Sequence, residues 1–334
     1  MMPRALENTV YGLISTPVLH TALKHGVFAS LIEQGPDTVP GLAERLSTDP
    51  DTLERMLLVL TSLGVVERSK DGEFALTAEA APFLDHRNSR YLGGFIEHLT
   101  VETQGRLTRL DTYLADGKQS GEASPFDDVY RDSESLRAFM RAMWDLSFGM
   151  SQELAALAGL SGTTHLVDVG GATGPFAVAA LLAEPGLRAT VFDMPAVAPL
   201  VGEDAEARPV VDRLGFAGGD FFADELPRGD CLAFGYILSD WDDDTCVRLL
   251  EKAYRACDTT DGPGRVLIMD RLFDDDHTGP LATAAMNLVM HIEMAGRHRT
   301  AAEFIALLER AGFTDCEVRR SSAEKHLVIG HKKA

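Results

Sequence analysis

Cysteine is scarce in this chain. Its four copies, Cys231, Cys246, Cys257 and Cys316, show no Cys-x-x-Cys spacing in 334 residues. That excludes a zinc knot of the usual kind and favours reduced thiols over a disulfide framework. Long apolar runs are missing too: Gly12, His20 and Lys24 interrupt the apolar residues near the N-terminus, leaving no signal peptide and no membrane-spanning stretch. Basic charge is the third shortage. Against 31 Lys and Arg stand 51 Asp and Glu, a net charge of -20, which argues against nucleic acid or an anionic membrane as partner. A cytoplasmic protein is expected. What is present in quantity is apolar substance, 45% of residues, enough at this length for a large core and two domains.

The pattern changes near residue 150. Before it, Leu13, Ile14, Leu19, Leu23 and Phe28 recur at helical intervals, as do Leu53, Met56, Leu57 and Leu60. Between Leu42 and Leu76 the order is that of a winged helix. Gly41 to Leu46 reads as a short helix and Asp49-Pro50 starts another. Gly64 to Glu67 and Phe74 to Leu76 form a hairpin around Asp71-Gly72. Such a unit can read DNA, which makes a ligand-sensing regulator the rival class. From Asp37 to Lys70, however, six acids outnumber four bases, and a recognition helix needs Lys and Arg for phosphates. The unit is read as a dimerisation platform.

After residue 150, strands alternate with helices. The expected strands are Leu166–Val169, Ala189–Phe192, one near Val210-Val211, Cys231–Leu238, Val266–Met269 and His326–Gly330. That rhythm predicts an α/β fold, a Rossmann-like, doubly wound parallel sheet with ligands at the carboxyl ends of its strands. Asp168, Asp193, Asp220, Ser239, Asp240 and Asp270 all fall at such ends. The first of these strands runs into Gly170-Gly171-Ala172-Thr173-Gly174, then a helix from Pro175 to Ala183. Gly170, Gly171 and Gly174 permit a tight turn and put no Cβ between backbone and ligand. Asp193, about 20 residues on, can accept both ribose hydroxyls of a nucleotide-type cofactor. A buried carboxylate at Asp168, just before the turn, suits a cationic amino-acid end better than a pyrophosphate. S-adenosylmethionine is therefore expected rather than a dinucleotide.

Four blocks together resemble the plant-type and acetylserotonin-type small-molecule O-methyltransferases and their bacterial relatives. They are Val167-Asp168-Val169-Gly170-Gly171, Phe192-Asp193-Met194-Pro195, Gly219-Asp220-Phe221-Phe222 and Gly296-Arg297-His298-Arg299-Thr300. The resemblance implies a helical, winged-helix dimerisation domain over residues 1–100, a helical linker over 101–150 that contributes to the substrate pocket, and a methyltransferase domain over 151–334. It implies a homodimer and a small-molecule acceptor. It also implies that Asp193 holds the ribose, that Asp220 and Phe221 flank the adenine, that Met143 and Ser147 approach the methionine end, and that Met194 and Ser239 belong to the cofactor-binding set. Phe221 and Met143 fit simple core packing as well.

Departures from the family pattern bear on the chemistry. Where the family places His-Asp-Trp, its His being the base that deprotonates the acceptor, this chain has Ser239-Asp240-Trp241. A serine hydroxyl is no base near neutral pH without another group to activate it. His298 replaces the family's Glu, Gly235 replaces a Lys that neighbours the adenine, and Asp270 stands where a Glu flanks the base. Three explanations compete. In the leading one, Asp240, His291 and His298 hold a divalent metal (Zn, Fe, Co or Ni), as in relatives that methylate 2-oxo acids on carbon, and the metal stabilises an enolate. Both histidines ligate only if the helix between them bends, with Gly296 placed to allow it. In the second, a hydroxyl oxygen is methylated, with His298 or His291 as substitute base. In the third, the fold persists without methyl transfer. Arg297 is a candidate for pairing with an acceptor carboxylate, and Asp242, Asp243 and Asp244 are expected to cap the following helix.

Overall fold

The computed structural model describes residues 2–117, 129–130, 132–258, 264–294 and 296–333. The chain divides into two compact units, Met1–Gln104 and Gly105–Ala334. The first contains α1 (Arg4–Lys24), α2 (Val27–Gln34), α3 (Val39–Leu46), α4 (Pro50–Ser62), the strands β1 (Val66–Arg68) and β2 (Phe74–Leu76), then α5 (Ala81–Leu84) and α6 (Gly93–His98). Local chemistry sets its corners. Thr38 and Asp49 cap α3 and α4, each followed within two residues by a proline that needs no hydrogen-bond acceptor there. The hairpin pairs Val66 with Leu76 and Arg68 with Phe74. Phe28, Leu42, Leu57, Leu60 and Phe74 form the buried core beneath it.

The second unit begins with α7 (Gln104–Leu107), α8 (Leu110–Asp116) and the long α9 (Ser133–Ala158). Then follow β3 (His165–Val169), α10 (Pro175–Ala183), β4 (Arg188–Asp193), β5 (Leu214–Gly218), β6 (Cys231–Gly235), α11 (Asp243–Ala256), β7 (Gly264–Asp270), β8 (Leu272–Phe273), α12 (Leu281–Glu293), β9 (Arg299–Thr300), α13 (Ala301–Arg310), β10 (Thr314–Arg319) and β11 (His326–Lys332). Seven strands make one sheet in the order β10-β11-β7-β6-β3-β4-β5. Five are parallel, while β11 runs antiparallel to both β7 and β10. The sheet is therefore mixed rather than wholly parallel.

Alternation along the strands fills two cores, one on each face. Leu166, Cys231, Ala233, Leu267 and Met269 pack with α9 and α10, whereas Val167, Val169, Leu232, Phe234, Val266 and Ile268 pack with α11 and α13. Each such side chain contributes about 1.5–3 kcal/mol on burial, which fixes the register and with it the strand ends. The third parallel strand lies at Leu214–Gly218 and not at Val210-Val211, because that pair sits in a 3-10 stretch, Ala205–Arg213, containing Pro209. β6 stops at Gly235, three residues short of Leu238, where Tyr236 turns to φ 58.

Candidate active site

The turn after β3 is held in a left-handed form, with φ 65 at Gly170, 52 at Ala172 and 90 at Gly174. Gly170 N–H donates to Phe192 O at 2.8 Å, which ties the turn to the neighbouring β4. A Cβ on Gly171 would stand 2.7 Å from Asp168 Cγ, and one on Gly170 would collide with Ile237. The turn thus offers bare backbone to a ligand. Asp193 closes β4 opposite it. One carboxylate oxygen accepts from Ala172 N–H at 2.8 Å, the other from Met194 N–H at 2.7 Å and from Tyr130 Oη at 3.4 Å. Burial pushes its pKa up while the two amides pull it down. One lone-pair site remains free for a diol, and replacing the long Tyr130 contact would open a second. Met194 is itself half-exposed beside it.

Asp168 is 2% exposed and accepts one hydrogen bond, from Ala177 N–H at 3.2 Å. Burial lifts its pKa from 3.8 to about 7, against the pull of Lys325. Phe221 packs on Ile237 beside Gly170 and meets Trp241 edge-on. Its loop is fixed at both ends: Asp220 accepts from Phe222 N–H at 2.8 Å, and Lys252 Nζ donates to the carbonyls of Phe221, Phe222 and Asp224. On α9, Leu136 and Met140 pack in a cluster that includes Ala172 of the glycine turn. Met143, half-buried, and Ser147, buried, follow one turn apart on that helix. These residues fit S-adenosylmethionine: a backbone cradle, a diol acceptor at Asp193, and an acid at Asp168 for the amino-acid end.

The other half of the site follows β6. Leu238–Asp240 forms a 3-10 turn with Ser239 buried. Gly296 lies so close that a Cβ there would collide with Ser239 O. Arg299, fully buried, clamps this turn by donating to Leu238 O at 2.8 Å, Trp241 O at 2.9 Å and the Asp243 carboxylate. Asp240 is half-buried, and loss of solvent together with the nearby Asp270 and Glu293 raises its pKa well above the carboxylate range. His298 is 3% exposed, its N–H held by Asn287 Oδ1 at 2.8 Å. Its ring Nδ1 lies 3.1 Å from Asp270 Oδ1, and its Nε2 is buried with no partner among the described residues. A carboxylate only accepts, so the proton of a neutral ring belongs on Nδ1 and its lone pair on Nε2.

The expected metal set of Asp240, His291 and His298 is not assembled. The helix does not bend through Gly296: α12 ends at Glu293, Met294 is extended, and His291 is left exposed in the last turn while His298 turns inward to Asp270. Among the described residues no group of three or more His, Cys, Asp and Glu is placed to hold a metal ion. Arg297 is also spoken for, pairing with Glu303 at 2.7 Å and Asp243 at 3.1 Å. Asp242 caps α11 through Thr245 N–H at 2.7 Å. Tyr130, Arg299 and a buried lysine, Lys325, join the site without having been singled out in the sequence. Only Arg299 left a trace there, as part of the fourth block.

Residues 113–314 match the O-methyltransferase domain family and residues 8–86 its dimerisation domain. The chain is 31% identical to 3-hydroxy-5-methyl-1-naphthoate 3-O-methyltransferase of Streptomyces sahachiroi, over 99% of this chain and 96% of that one. It is 32% identical to acetylserotonin O-methyltransferase of Bos taurus, over 98% and 97%. In three dimensions it resembles human N-acetylserotonin methyltransferase solved with S-adenosylmethionine, with a TM-score of 0.86 and 26% identity over 99% and 97% of the two chains. The chain belongs to the O-methyltransferase family and is an S-adenosylmethionine-dependent methyltransferase.

Proposed function

We propose that this enzyme methylates a hydroxyl oxygen on a small aromatic acceptor of the natural-product type, with His298 as the base and Asp270 as its partner. The observation that carries the reading is the His298–Asp270 pair, whose second ring nitrogen is buried and, among the described residues, unpartnered. The imidazole has moved relative to the family pattern: His298 stands where the family has Glu, and Ser239 where it has His. Similar proteins support this: the naphthoate 3-O-methyltransferase above and a mitomycin biosynthesis 6-O-methyltransferase of Streptomyces lavendulae, 31% identical over 92% of this chain.

Asp193 and the glycine turn would hold the ribose, and Asp168 the amino-acid end. When bound, S-adenosylmethionine supplies a methyl group on a positively charged sulfur, an electrophile that needs chiefly an aligned nucleophile. His298 Nε2 takes the hydroxyl proton as the oxygen becomes nucleophilic. Asp270 stabilises the imidazolium that forms and orients the ring, while Asn287 holds the His298 backbone. The exposed apolar residues Leu6, Val10, Leu13 and Ile14 of α1, on a unit matching the dimerisation domain, support a homodimer. A monomeric mass by light scattering would contradict the dimer.

Carbon methylation of a 2-oxo acid, the leading expectation from sequence, gives way to this reading because its ligand set is not assembled and the similar enzymes are O-methyltransferases. The test supplies cofactor carrying a 13C-methyl group, with hydroxynaphthoates, N-acetylserotonin and 2-oxo acids as acceptors, with and without chelator. The label is expected on oxygen, with turnover indifferent to chelator. Label on carbon in an oxo acid would overturn the reading.

A further inference from the structure

Lys325 has no part in the proton transfer described above, yet it is a lysine with 2% of its surface exposed. It immediately precedes β11, whose first residue, His326, pairs with Asp270 at the carboxyl end of β7. The side chain therefore enters the edge of the sheet where the cofactor is held. Its Nζ lies 3.1 Å from the point a Cβ on Gly235 would occupy. Gly235 is itself only half-buried, and its lack of a Cβ lets the ammonium lie close against the end of β6. Beneath, the ammonium rests 4.0 Å from the centre of the Tyr236 ring, and Arg271 stacks on the same ring at 5.0 Å. Tyr236 reaches this place only through a left-handed backbone, φ 58, a conformation that persists in non-glycine residues where the surroundings hold it and that clusters at functional sites.

Among the described residues the Lys325 ammonium makes no hydrogen bond. The opposite charges that face it are Asp168 and Asp270, and burial pulls its pKa from 10.5 to about 8. Asp168, close by at the end of β3, has the mirror-image condition, a buried acid with a single amide donor and a raised pKa. One buried cation and one buried anion, both short of partners, lie at the carboxyl ends of β3 and β6. A molecule carrying one charge of each sign on adjacent atoms satisfies both at once.

We propose that Lys325 holds the carboxylate of the cofactor's amino-acid end, reaching it past Gly235, and so completes the receptor in which Asp168 takes the ammonium. The proposal rests on the cofactor assignment and is independent of which residue serves as base. A purely structural ion pair is the rival, and two ligands separate them. S-adenosylhomocysteine carries the amino-acid end, whereas 5′-methylthioadenosine shares the adenosine and thioether but lacks it. Calorimetry on the full chain should show Lys325→Met weakening S-adenosylhomocysteine at least about tenfold, with 5′-methylthioadenosine unchanged within about twofold and Lys325→Arg recovering part of the loss. Gly235→Ala keeps the lysine but crowds its ammonium, and should show the same selective loss. If Lys325→Met does not fold, that variant decides alone. Equal weakening of both ligands, or of neither, would overturn the proposal, and failure of the wild type to bind S-adenosylhomocysteine would overturn the cofactor assignment with it.

Discussion

Asp193 shows how far a single residue can be read in advance. Spacing from the glycine turn assigned it, and the structure adds that both oxygens already accept backbone amides, so the carboxylate is oriented before any ligand arrives. Asp193→Asn keeps the shape but loses the charge and an acceptor. Cofactor affinity should fall roughly 30- to 150-fold, about 2–3 kcal/mol, by calorimetry; a change under threefold would remove Asp193 from the site. The pair His298 and Asp270 was legible only as two separate oddities. The ring could equally have turned toward His291, and the choice depended on where α12 ends. Tyr130 and Lys325 gave no local signal, because each reaches the site through packing between segments distant in sequence.

At the scale of elements, strong local chemistry was readable and weak local chemistry was not. The helix Pro175–Ala183 forms within the expected bounds, as does the hairpin around Asp71-Gly72, since a proline at the first helical position or a glycine at φ 85 leaves the backbone few options. β10 escaped notice: Thr314–Arg319 is a half-buried edge strand whose apolar alternation consists of Cys316 and Val318 alone, too short a pattern to mark a strand. The turn from Leu238 to Asp243 depends on one distant side chain, Arg299. Arg299→Met should take the charged donor from the carbonyls of Leu238 and Trp241, leaving them the weak Cys246 thiol, and leave Asp243 to Arg297 alone, costing about 3 kcal/mol in denaturant unfolding and loosening the turn that carries Ser239 and Asp240. A loss below about 1 kcal/mol would show that the turn holds itself.

For the molecule as a whole, the charge reading and the two-part division came from composition and pattern, while the chemistry depended on assembly. Stability carries one further mark of the site. Asp168 titrates at about 7 when folded against 3.8 as the reference, so between those values the folded chain keeps a proton that the unfolded chain has released. The stabilisation is complete below about pH 4 and is lost as pH rises toward 7, at about 1.4 kcal/mol per pH unit. Without cofactor, wild type should therefore lose stability relative to Asp168→Asn between pH 5 and pH 7; parallel curves would show that Asp168 is ionised throughout.

If the base stands at His298, kcat for methyl transfer by His298→Gln, on whichever hydroxynaphthoate the wild type methylates fastest, should fall by about 10² to 10⁴, with S-adenosylhomocysteine affinity kept within about twofold. A kcat within about threefold of wild type would contradict it, and would mean that the acceptor sheds its proton without His298.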